Sequence, residues 1–196
     1  MGEAGYKNLI SYKLAQTAFD LGWDFVPTYY SRIEDSRQRD QIKQALRSHK
    51  QNIVEGSSER SLSRKLNLYD VAKSSGMEAL EDFEDILRRE GFVRWNRSDF
   101  RLIKLHTVFE GYPSNSSIPS ILPFPSARKI KEVLGGVEGR EGTEIVANYM
   151  IDILVRSGYL LDKQMNALEE KHTKEGGYNE NLLKKRLAYK YFQAKR

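Results

Sequence analysis

The sequence has no cysteine among its 196 residues. This absence excludes disulfide bonds, thiolate metal sites and a cysteine nucleophile, and it fits a reducing compartment. No apolar run approaches the roughly 18 residues that a membrane-spanning helix needs. The first 22 residues also lack the apolar core and small-residue cleavage site of a secretory signal. We therefore predict a soluble, cytoplasmic protein.

Proline is scarce as well, and four of the five prolines fall between residues 113 and 125. Four glycines follow between residues 135 and 142. Such clusters break regular structure, so we predict a long connection over 113–142, with one short helix from Ser126 to Leu134 as an option within it.

Elsewhere apolar residues recur at spacings of three and four, which predicts amphipathic helices. The predicted helices are Lys7–Val26, Ser36–Glu55, Ser63–Arg89, a shorter one capped by Ser98 or Asp99, Thr143–His172 and Asn179–Ala194. The predicted inner face of the first helix is Ile10, Leu14, Ala18, Leu21 and Phe25, and that of the second is Ile42, Leu46, His49 and Ile53. The third helix is predicted to bury Leu66, Tyr69, Gly76, Leu80, Phe83 and Leu87, and the shorter one Phe100, Ile103 and Val108. For the helix Thr143–His172 the inner face is Val146, Met150, Ile153, Leu160, Leu161 and Leu168. No segment alternates with period two, so no sheet is expected. The prediction is an all-α fold, an antiparallel up-and-down four-helix bundle (residues 1–175) with a basic C-terminal helical appendage (176–196).

Glycine and proline mark the predicted helix ends. Pro27 is expected to stop or kink the first helix, because proline lacks the backbone donor. Gly56 and Gly91 are expected to close the second and third helices, and Gly176 with Gly177 to break the chain again. Gly76 lies inside the third helix, which indicates close approach by a neighbouring element.

A basic stripe runs along the second helix. Its members are spaced by 4, 4 and 3 residues, which places them on one helix face: Arg39, Lys43, Arg47 and Lys50. Such a stripe can follow a phosphate backbone, although charge runs on helices more often form a solvated face with local ion pairs. Both interpretations stay open.

The C-terminal segment is also basic. Residues 163–196 hold nine Lys and Arg against four Asp and Glu, a net +5 that equals the charge of the whole chain. The candidate nucleic-acid contacts there are Lys184, Lys185, Arg186 and Lys190, with Tyr189, Tyr191 and Phe192 between and beside them. Cations with aromatic rings can bind phosphates and stack on unpaired bases. Alternatively, Leu183, Leu187 and Tyr191 dock on a neighbouring subunit, and the two roles are compatible.

The second helix ends in Asn52-Ile53-Val54-Glu55-Gly56, and the third contains Val71-Ala72 and Ser75 with Glu78. These motifs resemble the four-helix-bundle proteins encoded within intervening sequences of bacterial 23S ribosomal RNA genes, a family that includes the accessory variability determinants of diversity-generating retroelements. The run Arg47 to Ile53, the stretch Tyr159 to Asp162 and the junction Glu175 to Gly177 are similar to the branch with a four-helix-bundle suffix domain. The resemblance implies a homopentamer and makes Asn52, Glu55 and Gly56 a structural motif. It leads us to expect an RNA or ribonucleoprotein partner.

The sequence offers little for catalysis. Glu78, Glu81, Asp82, Glu84 and Asp85 form an acidic patch, but di-metal bundles pair such carboxylates with Glu-x-x-His motifs, which are missing. The patch is read as a solvated face or as the partner of a neighbour's basic stripe. No phosphate-binding loop or nucleophile elbow occurs. We predict no enzyme activity, no cofactor and no metal; the leading function is an oligomeric RNA-binding module, and the alternative is a protein-interaction scaffold.

Overall fold

The computed structural model describes residues 5–110, 139–176 and 178–194. Short 3₁₀ helices lie at Gly5–Asn8 and Ile33–Asp35. The α-helices are α1 (Ile10–Tyr29), α2 (Ser36–Ser58), α3 (Leu62–Glu90), α4 (Phe100–Glu110), α5 (Gly139–Glu175) and α6 (Tyr178–Ala194). The described ranges contain no strand, and the predicted all-α fold is confirmed.

Four long helices form the bundle, and each packs against two others. Helix α1 packs on α2 and α5, and α3 packs on the same two helices. One apolar cluster joins Leu21, Phe83 and Met150 near one end, while a second joins Ala15, Tyr69 and Leu161 near the other. Successive helices therefore run in opposite directions, as an up-and-down bundle requires.

The predicted inner faces of the long helices are largely confirmed. The predicted residues that are at most 4% exposed are Leu14, Ala18, Leu21, Ile42, Leu46, His49, Ile53, Tyr69, Phe83, Leu87, Val146, Met150, Ile153 and Leu161. Ile10, Phe25, Leu66, Leu80, Leu160 and Leu168 are partly buried at the margins of the same clusters. Each fully buried aliphatic side chain contributes about 1.5–3 kcal/mol of transfer free energy.

Two glycines let α2 and α3 approach closely. A Cβ on Gly76 would stand 2.8 Å from the His49 Nδ1 atom, which confirms the predicted close approach. The prediction for Gly56 was wrong, because α2 continues to Ser58 and Gly56 is buried within it. A Cβ there would meet the Tyr69 ring at 2.7 Å. Gly56 is thus needed for packing against α3 and not for a left-handed cap.

His49 is fully buried at this crossing and ties three helices together. Its Nδ1–H donates to the Ala72 carbonyl of α3 at 2.7 Å, because a carbonyl only accepts. Its Nε2 lies 2.9 Å from the Ser157 hydroxyl of α5. Burial lowers the pKa of His49 below its ordinary 6.5, since the imidazolium would lose its hydration.

Helix ends follow the sequence signals in part. Gly91 adopts φ +68°, and Phe92 N–H donates to the Leu87 carbonyl at 2.9 Å, so the predicted end of α3 is confirmed. Gly176, at φ +78°, likewise ends α5, whereas Gly177 lies outside the described residues. Pro27 does not stop α1, which runs on to Tyr29; the lost donor affects a single bond in the last turn.

The start of α5 differs from the prediction. The helix begins at Gly139, and Thr143 lies inside it with its hydroxyl donating to the Gly139 carbonyl at 3.1 Å. Thr143 is therefore not the cap, and residues 139–142 are helical instead of part of the connection. The rest of that connection, including the optional helix Ser126–Leu134, lies outside the described residues.

Helix α4 presents a different face from the one predicted. Asp99 caps it, accepting from Arg101 N–H at 2.9 Å. Phe100 and Ile103 are 74% and 51% exposed, while Leu102 and Leu105 are buried, so the predicted inner face was wrong. The Val108 side chain lies outside the described set. The apolar residues of α4 fit two helix faces, and the face with Leu102 and Leu105 is the buried one. The segment before the helix, residues 91–99, is fixed separately to α5.

That segment is held by Asn148 of α5. The Asn148 side chain accepts from Trp95 N–H at 2.7 Å. Its amide donates to the Val93 carbonyl at 3.2 Å. Asn148 is 2% exposed, so the chain after α3 is fixed to α5 by one buried and one partly buried hydrogen bond.

Candidate nucleic-acid interface

The predicted basic stripe lies along α2 on the side that faces α1. Arg47 is exposed, and Arg39, Lys43 and Lys50 are half-buried. The Arg39 Nη1 donates to the Tyr30 carbonyl at 3.2 Å, which satisfies a carbonyl at the end of α1. Lys43, Arg47 and Lys50 therefore form the stripe proper, with Arg39 tied to the bundle at one end.

Two aromatic rings of α1 lie beside the stripe. The Lys43 Nζ is 3.6 Å from the centroid of the Trp23 ring, and the Lys50 Nζ is 3.7 Å from that of Phe19. The two rings are 5.3 Å apart, and Trp23 is 48% exposed. Cation–π contacts at such sites contribute about 0.5–1 kcal/mol each. We call Phe19, Trp23, Lys43, Arg47 and Lys50 the basic–aromatic face.

The electrostatics of Lys50 are influenced from both helices. Partial burial lowers its pKa from the ordinary 10.5, the Asp20 carboxylate acts in the opposite direction, and the nearby Arg47 lowers it further. Asp20 also accepts from the Gln16 amide at 2.7 Å. The face therefore holds cations that are only partly compensated by an acid.

Sequence reasoning missed Phe19 and Trp23. The available signal was an aromatic pair four residues apart, just beside the apolar stripe of the first helix. That spacing predicts a shared helix face, but it does not reveal that lysines of α2 cover the rings.

The motif Asn52, Glu55 and Gly56 has contacts within the bundle. The Asn52 amide donates to the Ser48 carbonyl at 2.9 Å, one turn earlier. Glu55 accepts from the Gln51 amide at 3.4 Å, and its carbonyl accepts from Glu59 N–H at 3.1 Å at the helix end. With Gly56 packed on α3, these residues support the α2–α3 corner.

The second predicted basic set lies on α6, away from the first. Lys184, Lys185, Arg186 and Lys190 are all exposed, as are Tyr189, Tyr191 and Phe192. The beginning of α6, at Tyr178, lines a groove with Glu59 and Arg60 of the α2–α3 turn. The structure thus groups each set on its own helix and does not join them into one surface.

The acidic patch lies on α3 and is engaged by neighbours. Asp85 pairs with Arg88 at 2.7 Å, and Glu84 pairs with Arg94. Asp82 accepts from the Gln38 amide at 2.6 Å. Burial raises the pKa of Asp82 to about 6, with Gln38 opposing and Asp85 adding to the rise. No set of three or more metal-ligand side chains converges within the described residues.

His106 is held by protein groups on both ring nitrogens. Its Nε2 lies 2.8 Å from Asp152 Oδ2, and the Arg156 guanidinium donates to its Nδ1 at 2.9 Å. A general base needs a nitrogen within reach of a substrate proton. The arrangement instead links α4 to α5.

Comparison with protein-family models, with curated proteins and with solved structures finds no match to this chain. Among the helices of the described ranges, none has a stretch apolar enough to cross a membrane.

Proposed function

We propose that this protein is a non-enzymatic RNA-binding module that acts as a homo-oligomer. The observation that carries the proposal is the basic–aromatic face, where Lys43, Arg47 and Lys50 line up on α2 beside the exposed Trp23 ring. An ammonium group has three donors, so a lysine resting on a ring keeps N–H groups for a phosphate. Contact with the ring also restricts the lysine before binding, which reduces the entropy lost on phosphate contact.

Oligomer formation would strengthen such a face. Each subunit carries +5, and a closed ring adds the fields of its subunits, which raises the local concentration of a polyanion. The homopentamer remains part of the proposal through the family resemblance. A cytoplasmic location is also part of the proposal, because RNA is available there.

The test is RNA affinity in two variants that lose the same charge. Lys43→Gln/Arg47→Gln/Lys50→Gln removes the stripe, whereas Arg64→Gln/Arg97→Gln/Lys104→Gln removes three exposed cations on other surfaces. We expect the stripe variant to bind a labelled RNA stem–loop about tenfold more weakly at low salt, and the control variant to stay within about threefold. Equal losses would attribute binding to net charge and contradict a defined face.

A protein-interaction scaffold is the second candidate. It is favoured by Leu183 and Leu187 on α6, which are 56% and 58% exposed, because solvated leucines on a short helix are costly unless a partner covers them. A protein that co-purifies at fixed stoichiometry after nuclease treatment, together with no RNA affinity at low salt, would favour the scaffold.

A further inference from the structure

Helix α6 exposes an apolar line that the other described residues leave uncovered. Leu183 and Leu187 are one turn apart and more than half exposed. At 100° per residue, Lys184 lies on one side of this line, and Arg186 and Lys190 lie on the other. Lys185 lies on the opposite side of the helix. The pattern suits a partner with a shallow groove of small side chains between acidic walls.

The groove between α2 and α3 has this form. Its floor is made of the small residues Ala45, Ser48 and Ser75. Asp40 lines it from α2, and Glu78 and Glu81 line it from α3. All three acids are exposed. A helix can approach closely over small residues, and leucines can enter the space they leave.

The charges of helix and groove are complementary, and the groove is long enough to hold the helix segment. Of the four cations of helix α6, three flank the apolar line and would face the groove, a charge of +3. The groove has four acids, including Asp82, against one cation, Arg37, a net −3. From Ser36 to Ser48 the groove extends along about 18 Å of α2, and the span Leu183 to Lys190 covers about 10 Å at 1.5 Å per residue.

We propose that α6 of one copy docks into the α2–α3 groove of a second copy, with Leu183 and Leu187 on its floor and Lys184, Arg186 and Lys190 against its acidic walls. Within one chain, α6 begins at the α2–α3 turn and is exposed from Leu182 to Gln193, so its own groove does not receive it. Because helix and groove are different surfaces, the contact is heterologous, and repeated around an axis it closes into a ring.

This proposal rests on the homo-oligomer of the proposed function and specifies its contact. It uses the side of α2 that faces α3, whereas the RNA proposal uses the side that faces α1. It assigns Lys184, Arg186 and Lys190 to subunit contact and leaves Lys185 facing outward. The two proposals can therefore fail separately, provided that association is measured on protein freed of nucleic acid.

The experiment reverses the charges of the helix in one variant of the full chain and those of the groove in another. The helix variant is Lys184→Glu/Arg186→Glu/Lys190→Glu, and the groove variant is Asp40→Lys/Glu78→Lys/Glu81→Lys. Sedimentation equilibrium after nuclease treatment measures association. We expect each variant alone to associate about a hundredfold more weakly, because three attractive pairs become repulsive. Arg64→Glu/Arg97→Glu/Lys104→Glu is the control and should associate as the parent chain does.

Mixing the two variants separates contact between copies from contact within one chain. In the mixture each helix finds a groove of opposite charge on the other variant, so the affinity of one variant for the other should return to within about tenfold of the parent contact. A five-membered ring cannot alternate two variants around its circumference, so the mixed assemblies should contain even numbers of subunits. A parent chain that stays monomeric at submillimolar concentration would overturn the proposal. The same holds if the helix variant associates as the parent does, if the control weakens equally, or if mixing restores nothing.

Discussion

Replacing Gly76 with alanine tests the crossing of α2 and α3. Alanine is favoured over glycine inside a helix by about 1 kcal/mol. At this position, however, the new Cβ would lie 2.8 Å from His49 Nδ1 and 2.9 Å from His49 Cε1. His49 is fully buried and held by the Ala72 carbonyl at 2.7 Å, so the ring cannot move without losing that bond.

The two effects can be compared. Overpacking a core costs about 1–3 kcal/mol, and a displaced hydrogen bond costs about 1 kcal/mol more. After the gain in helix propensity, we expect Gly76→Ala to lower the free energy of unfolding by about 1–3 kcal/mol. Gly158→Ala on α5 is the matched control, because a Cβ there would have no atom of the described residues within 4 Å. This control should be more stable than the parent by about 1 kcal/mol.

The assay is urea unfolding followed by far-ultraviolet circular dichroism, at one protein concentration because association contributes to stability. Adding His49→Ala should make Gly76→Ala tolerable, so a double-mutant cycle should give a coupling of about 1 kcal/mol or more. Equal stability of the Gly76 and Gly158 variants, or a coupling near zero, would refute the reasoning.

Three further predictions concern buried polar groups. The pKa of His49 is lowered in the folded chain, so below pH 6.5 the unfolded chain binds more protons than the folded one. The free energy of unfolding should therefore decrease as the pH decreases below 6.5, by up to about 1.4 kcal/mol per pH unit. His49→Gln should remove this slope in unfolding titrations, and an unchanged slope would contradict the assignment. Asp82 has a pKa raised to about 6, which gives the opposite sign: its ionisation destabilises the fold as pH rises from about 4 to 6. Asp82→Asn should therefore stabilise the protein by about 1 kcal/mol above pH 6, a value reduced for partial solvent screening, and should have no effect at pH 3; a pH-independent difference would be inconsistent with this. Asn148→Ala should cost about 2–3 kcal/mol in chemical denaturation, because the buried Trp95 N–H loses its acceptor, and a cost below 1 kcal/mol would show that water replaces the amide.

The helices and most of their inner faces could be predicted because one apolar stripe of period 3.6 specifies both. The close approach at Gly76 was also predictable, since a glycine far from a helix end has few other uses. Gly56 gave the same local signal as a helix cap, and only the position of Tyr69 distinguishes packing from capping. That position depends on how α2 and α3 pack, which the local sequence does not specify.

The candidate interface was predictable only in part. The spacing of Lys43, Arg47 and Lys50 identified one face of α2. Their position over the rings of Trp23 and Phe19 depends on how α1 and α2 pack. Similarly, the apolar residues of α4 allow two inward faces, and the hydrogen bonds of Asn148 to the preceding segment are not visible in a periodic pattern.

The most direct test of the proposed function is the salt dependence of RNA binding. The logarithm of the association constant for an RNA stem–loop would be measured against the logarithm of salt concentration, for the parent chain and for Lys43→Gln/Arg47→Gln/Lys50→Gln. Each phosphate contact contributes about 0.7–0.9 to the slope, so losing three contacts should make the slope shallower by about 2–3. A parent chain with no RNA affinity at low salt, or a slope that is the same in the variant, would contradict the account.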